Sequence, residues 1–213
     1  KGLTSGYGPA PIVYAGDYPN ANDPGGDPAQ CLQPYPAGTF SGEIVVCDRG
    51  AIARVDKGAN VLAGGAGGFV LANVDANGES TNGDSHYLPA VHIGDTDADV
   101  LRTWLATGSG HMATISGYTL DTTGYEADIM AASSSRGPAS ALSDIIKPDV
   151  SAPGTDILAA NRTDDNYYLL SGTSMASPHV AGTVALMAQK YPALTAAQAE
   201  TILESTVVVV PID

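Results

Sequence analysis

Basic residues are scarce in this chain: nine Lys and Arg face 23 Asp and Glu, for a formal net charge of -14. Neutralising phosphates requires basic side chains, so neither a nucleic acid nor an anionic membrane surface is expected as a partner. The acidity reads as the solubility of a secreted or salt-tolerant protein rather than as an acidic docking face. Long apolar runs are also absent. None approaches the ~20 residues that cross a bilayer, which argues against a membrane span. Cysteine is limited to Cys31 and Cys47, with no His or second Cys pair at ligand spacing, so no zinc or iron site and no bound metal is expected. The two cysteines bracket a loop rich in Pro and Gly. A disulfide closing a loop of about 15 residues would contribute roughly 3 kcal/mol by chain entropy and would suit an oxidising compartment; two reduced thiols are the alternative. The first residue is Lys1 and no leader pattern follows it, so the segment reads as mature or excised.

What is present suffices for one or two domains with real cores: 213 residues, 44% of them hydrophobic. Short β-branched runs at Ile12-Val13-Tyr14, Ile44 to Cys47, Phe69 to Val74, Ala90 to Ile93 and Met112 to Tyr118 predict strands. Ile52, Val55, Ala59 and Leu62 recur at helical spacing, with Arg54, Asp56 and Lys57 outside that face and Gly64-Gly65 ending it. Thr96 and Asp99 look like a helix start, with Val100, Leu101, Trp104 and Leu105 as its apolar face. Strands alternating with two helices predict a compact α/β unit.

From about residue 121 the text changes. Ser134-Ser135-Arg136-Gly137-Pro138 and Lys147 to Gly154 are punctuated by Pro and Gly, and Ile157 to Ala160 reads as a small strand. The segment Gly172-Thr173-Ser174-Met175-Ala176-Ser177-Pro178-His179-Val180-Ala181-Gly182 then places a serine at the start of a helix. Gly172 lets the backbone turn tightly and approach a substrate closely. Ser174 falls where free N–H groups and the helix dipole stabilise negative charge, its own N–H being one donor for an oxyanion. Pro178 is expected in the first turn, where an N–H has no intrahelical partner. Val180 to Met187 make the helix apolar almost all round, which predicts burial. It closes at Lys190-Tyr191-Pro192, and Thr195 with Gln198 forms a capping-box pattern opening a last helix through about Ser205. A serine at a helix N-terminus is by itself usually a cap, and as a nucleophile it needs a positioned base and a third group to orient that base.

The undecapeptide around Ser174 resembles the active-site serine motif of the subtilisin-like serine proteases, and the two Pro/Gly phrases before it resemble the segments leading to that serine. The resemblance implies an acyl-enzyme nucleophile at Ser174, with Gly172, Thr173 and Met175 supporting the site. Family order is Asp, His, then Ser, yet nothing before Ser174 resembles the aspartate or histidine motif, and the side-chain oxyanion donor, an Asn, cannot be placed on any Asn here. Residues 9–120 resemble the protease-associated domain inserted between His and Ser in many secreted subtilases. Ser41 to Gly50, Gly68 to Asn73 and Asp84 to Ala90 carry that likeness, closest to the cucumisin-like subtilases of plants and their bacterial relatives, which also have a cysteine pair here. The implied architecture is α/β: a small α/β protease-associated domain over 9–120, then the C-terminal part of a subtilisin-like parallel-sheet domain over 121–213. The implied function is secreted serine endopeptidase acting on polypeptides, inert in the isolated chain until the missing N-terminal half of the catalytic domain supplies Asp and His. No cofactor is implied, with calcium reserved for the complete protease. Self-association through uncovered faces is a further expectation. The alternative is a non-catalytic protease-associated module that binds partners or gates substrate.

Several residues imitate other sites. Asn73, Asp75, Asn77, Gly78 and Asp84 fall at calcium-loop positions, but a strand rather than a helix precedes them, so a solvated turn is expected. His86, His92 and His111 sit near strand edges without a partner constellation and read as packing or surface. Asp149 reads as a structural hydrogen-bonding group rather than a triad acid. His179, one turn inside the serine helix, is structural by family precedent.

Overall fold

A computed structural model describes residues 5–119, 128–131, 133–135, 147–160 and 166–208. The chain divides into two compact units, Lys1–Asp121 with Ala160–Leu169, and Thr122–Ala159 with Leu170–Asp213. The phrase Ser134 to Pro138 lies partly outside the described residues.

Strands β1 (Tyr7–Tyr14), β2 (Ile44–Asp48), β3 (Gly68–Ala72), β4 (Ala90–Ile93) and β5 (Met112–Ile115) form one sheet in the order β4-β3-β2-β1-β5. The first four run parallel and β5 pairs antiparallel to β1. A parallel sheet covered on both faces needs continuous apolar strands, and every residue of β2 and β3 is buried. Alternation assigns the faces. Ile44, Val46 and Val70 join a core with Ala10, Ile12, Ala98 and Ile115. Val45, Cys47, Phe69 and Leu71 join a second core with Tyr35, Phe40, Val61 and Leu88. Cys31 and Cys47 are joined by a disulfide, both buried in that second core.

Helix α1 (Arg54–Ala63) does not present the stripe its spacing suggests. Ile52 precedes it and Leu62 is 40% exposed, whereas Lys57, Gly58, Asn60 and Val61 are the buried residues. Lys57, expected outside, is fully buried because its ammonium donates to the Gln30 carbonyl and, at 3.3 Å, to Gln30 Oε1. Asn60 Nδ2 donates to the Cys31 carbonyl at 2.8 Å. Polar residues can turn inward where each finds a partner. At Gly58 a Cβ would come within 3.3 Å of Phe69 and Leu88, so the missing side chain sets the helix-to-sheet distance.

Helix α2 (Asp95–Leu105) starts after Gly94, with no side-chain cap from Thr96 or Asp99. Ala98, Leu101 and Leu105 face the sheet, a spacing of three and four residues. Val100 is 67% exposed, and Trp104 turns out to meet the His111 ring edge-on at 4.3 Å. The expected apolar face was therefore rotated by about one residue.

The described part of the second unit is sparser. β6 (Ile157–Ala160) and β7 (Tyr167–Leu170) pair as two strands at its boundary. α3 (Thr173–Lys190) follows, then α4 (Ala196–Thr206), opened by the reciprocal Thr195–Gln198 capping box. α3 corrects two expectations. None of its residues is buried among the described residues. Pro178 is its sixth residue, not a first-turn one. Its ring replaces the N–H that would otherwise reach back to the Ser174 carbonyl.

Candidate active site

Ser174 is the second residue of α3, and the chain reaches it through Gly172, which precedes the helix at φ 154° and ψ 169°. That region is essentially open to glycine alone. The Gly172 carbonyl accepts from Met175 N–H at 2.9 Å and Ala176 N–H at 3.3 Å, while Gly172 N–H donates to the Gly154 carbonyl at 2.7 Å. Ser171 Oγ accepts from Asp156 N–H at 2.8 Å and lies 3.2 Å from Asp156 Oδ1. The loop Gly154–Asp156 thus grips the two residues before the helix. Thr173 and Ser174 N–H, at the first two helix positions, have no carbonyl one turn back to bond. Ser174 is exposed and Met175 is half-buried beside it.

No hydrogen bond engages Ser174 Oγ among the described residues. His179 Nδ1 donates to the Met175 carbonyl at 2.9 Å, an ordinary one-turn contact that gives the imidazole a structural occupation. Asp149 forms an ion pair with Lys147 at 2.6 Å. Its carboxylate also neighbours those of Glu200 and Glu204 in an exposed group. The hydrogen bond to Asp149 raises the Lys147 pKa, with all three carboxylates contributing attraction. An ammonium already seated on Asp149 makes this group a poor fit for calcium.

The loop with calcium-like spacing is knit to protein instead. Asn73 Nδ2 donates to the Gly78 and Ser80 carbonyls at 2.7 and 2.9 Å, an orientation that makes it a donor rather than a ligand oxygen on that side. Asp84 pairs with Arg54, one contact at 2.9 Å. His92 is buried between Asn73 and Asn82, and burial followed by the nearby Arg49 and Arg54 charges lowers its pKa to about 4. His86 packs its ring on Phe69 at 5.2 Å, and burial lowers its pKa.

A further polar cluster at the C-terminal ends of β1 and β2 carried no signal in the sequence. Tyr14 Oη donates to Asp48 Oδ2 at 2.7 Å, and Arg102 donates to Asp48 Oδ1 through Nε at 3.0 Å and Nη2 at 2.8 Å. Its members lie 34 and 54 residues apart from Asp48, beyond any spacing rule.

The subtilase family model matches residues 13–211. Subtilisin-like protease SBT1.7 of Arabidopsis thaliana is 38% identical over 210 residues, covering 92% of this chain and 27% of that protein. Subtilisin-like protease SBT1.3 of the same plant is 36% identical over 210 residues, covering 92% and 26%. Subtilisin-like protease SBT5.4 is 40% identical over 163 residues, covering 71% and 21%. The chain belongs to the subtilase family. It spans about a quarter of the length of these curated relatives. Among the described residues, no helix is long and apolar enough to cross a membrane.

Proposed function

We propose that this chain is part of a secreted serine endopeptidase in which Ser174 is the acyl-enzyme nucleophile. The observation that carries the reading is the placement of Ser174 as second residue of α3, exposed, with Gly172 and the Gly154–Asp156 loop holding the approach to it. Ser174 Oγ would attack the scissile carbonyl of a polypeptide and pass its proton to a histidine, itself oriented by an aspartate, both from the part of the protein before this chain. Ser174 N–H would donate to the oxyanion, with Thr173 and Met175 flanking it. The leaving amine departs with the proton from histidine, and water then releases the acyl group by the same route. Residues 9–120 act in this reading as a protease-associated domain, and 121–213 as the C-terminal part of the catalytic domain. The chain alone is inert. The disulfide supports secretion, since such bonds persist in oxidising compartments.

A second reading rests on its own observation. The buried apolar core lies within residues 10–115, with Ala199 the one exception among the described residues. That favours the first unit as a self-sufficient interaction or substrate-gating module.

Intact-mass measurement before and after a fluorophosphonate probe tests the first reading. A single adduct on Ser174 is expected in the complete protein, and none in this chain alone or in Ser174→Ala. An adduct mapped elsewhere, or proteolysis that survives Ser174→Ala, overturns it.

A further inference from the structure

Asp156 stands in the left-handed region at φ 53°, which residues other than glycine enter at a cost and Asp and Asn tolerate best. Ser171, 15 positions further on, engages it twice. The Asp156 N–H donates to Ser171 Oγ at 2.8 Å, and that hydroxyl donates in turn to Asp156 Oδ1 at 3.2 Å. A hydroxyl has one proton to give and two lone pairs, so both bonds form at once. Both residues are half-buried, which limits competition from water. The pair does not serve a core: Ala199 is the single buried residue among the described residues of the second unit. Strain of this kind collects where geometry matters to function. Ser171 leads into Gly172, then into α3 and Ser174.

We propose that Asp156 is a positioning residue for Ser174, acting through Ser171. The inference rests on the reading of Ser174 as the nucleophile. The carboxylate acts at one remove from the reacting hydroxyl. Its bond and the left-handed turn fix the Ser171 side chain, so the chain enters Gly172 from one direction. Gly172 does not supply that direction itself, since glycine ranges widely over backbone space. The bond from Gly172 N–H to the Gly154 carbonyl, 2.7 Å, is a second fixed point. Together they hold both residues that precede α3. Release of one lets the nucleophile drift, and about 1 Å of drift costs on the order of a hundredfold in rate.

Fluorophosphonate labelling of Ser174 in the complete protein, with urea unfolding in parallel, separates positioning from stability. Asp156→Gly keeps the left-handed turn and deletes the carboxylate; Ser171→Ala deletes the hydroxyl. Each should slow labelling about tenfold or more, with the urea midpoint held near that of the wild type. Asp156→Asn keeps both the turn and an acceptor oxygen, and should label within about threefold of the wild type. The double variant Asp156→Gly/Ser171→Ala should be no slower than the slower single, because the two residues form one clamp. Wild-type labelling in either single variant overturns the inference, whether or not its midpoint falls. So does an Asn variant as slow as the Gly one, or a double variant in which the two losses multiply. Absence of label on Ser174 in the wild type would instead end the nucleophile reading, and this inference with it.

Discussion

His92 and Asn73 are joined inside the first unit by a 2.7 Å contact between Nε2 and Oδ1, and its direction is fixed by the other side of the ring. Nδ1 accepts from the Asn82 backbone N–H at 2.9 Å, so the imidazole proton resides on Nε2 and points at Asn73. A second proton would have to displace the Asn82 bond, in a buried place already near two arginines.

Acid should therefore destabilise the protein early. Burial, then Arg49 and Arg54, lower the His92 pKa to about 4 from 6.5. Between those values the unfolded chain takes up a proton that the folded chain refuses. Stability contributed by His92 is full above pH 6.5 and is lost as pH falls towards 4, on the order of 2–3 kcal/mol. His86, lowered by burial, adds in the same direction. Urea midpoints at pH 7 and pH 5 check this: the drop in the wild type should shrink in His92→Gln. Equal drops would refute the assignment.

Lys57 carries the opposite edge of the profile. Burial lowers its pKa to about 8 from 10.5, against the weaker attraction of Asp48 and Asp27. Between pH 8 and 10.5 the unfolded chain holds the extra proton, so stability rises with pH across that window. Tyr35, pushed up to about 12 by burial, keeps its proton longer folded than unfolded, so stability falls above pH 10. The expected optimum lies near pH 9–10. Lys57→Met should flatten the rise between pH 7.5 and 9.5, and an undiminished rise in that variant would exclude Lys57 as its source.

The Cys31–Cys47 bridge spans a sequence separation of 16 and closes a stretch of turns and bends that leads into β2. Replacing both cysteines by alanine should cost roughly 3 kcal/mol through the freed unfolded chain. Denaturant unfolding of the double variant measures it; a loss below about 1 kcal/mol would mean that the reduced loop stays ordered.

Local chemistry was readable and distant chemistry was not. β4 runs over Ala90–Ile93, the short run expected there as a strand, and the Thr195–Gln198 capping box is present in both directions. Each depends on residues within one or two turns of one another. The inward face of α1 failed because Lys57 finds its partner 27 positions away at Gln30, which no helical period encodes. The burial expected of α3 failed for a related reason. An all-apolar helix states that something covers it, but the covering layer is not among the described residues. At Ser174 the motif and the geometry agree on a helix start, while the groups that would activate the serine are not legible in this chain.

The grip on Gly172 supplies the sharpest test of how Ser174 is positioned. Gly154 accepts the Gly172 N–H at 2.7 Å. A Cβ there would stand 2.9 Å from the Gly172 carbonyl oxygen and 3.1 Å from Ala176 Cβ. Neither neighbour is a flexible side-chain tip, so Gly154→Ala must displace the Gly172 backbone, the first turn of α3, or both. A shift of about 1 Å at a reacting group costs on the order of a hundredfold in rate. In the complete protease, fluorophosphonate labelling of Ser174 should slow at least tenfold in Gly154→Ala. The unfolding midpoint should move little, because none of Gly154 to Asp156 is buried and their displacement uncovers no core. Labelling at the wild-type rate would mean that Ser174 takes its position from elsewhere in the protein, and that the Gly154–Gly172 bond merely closes the loop.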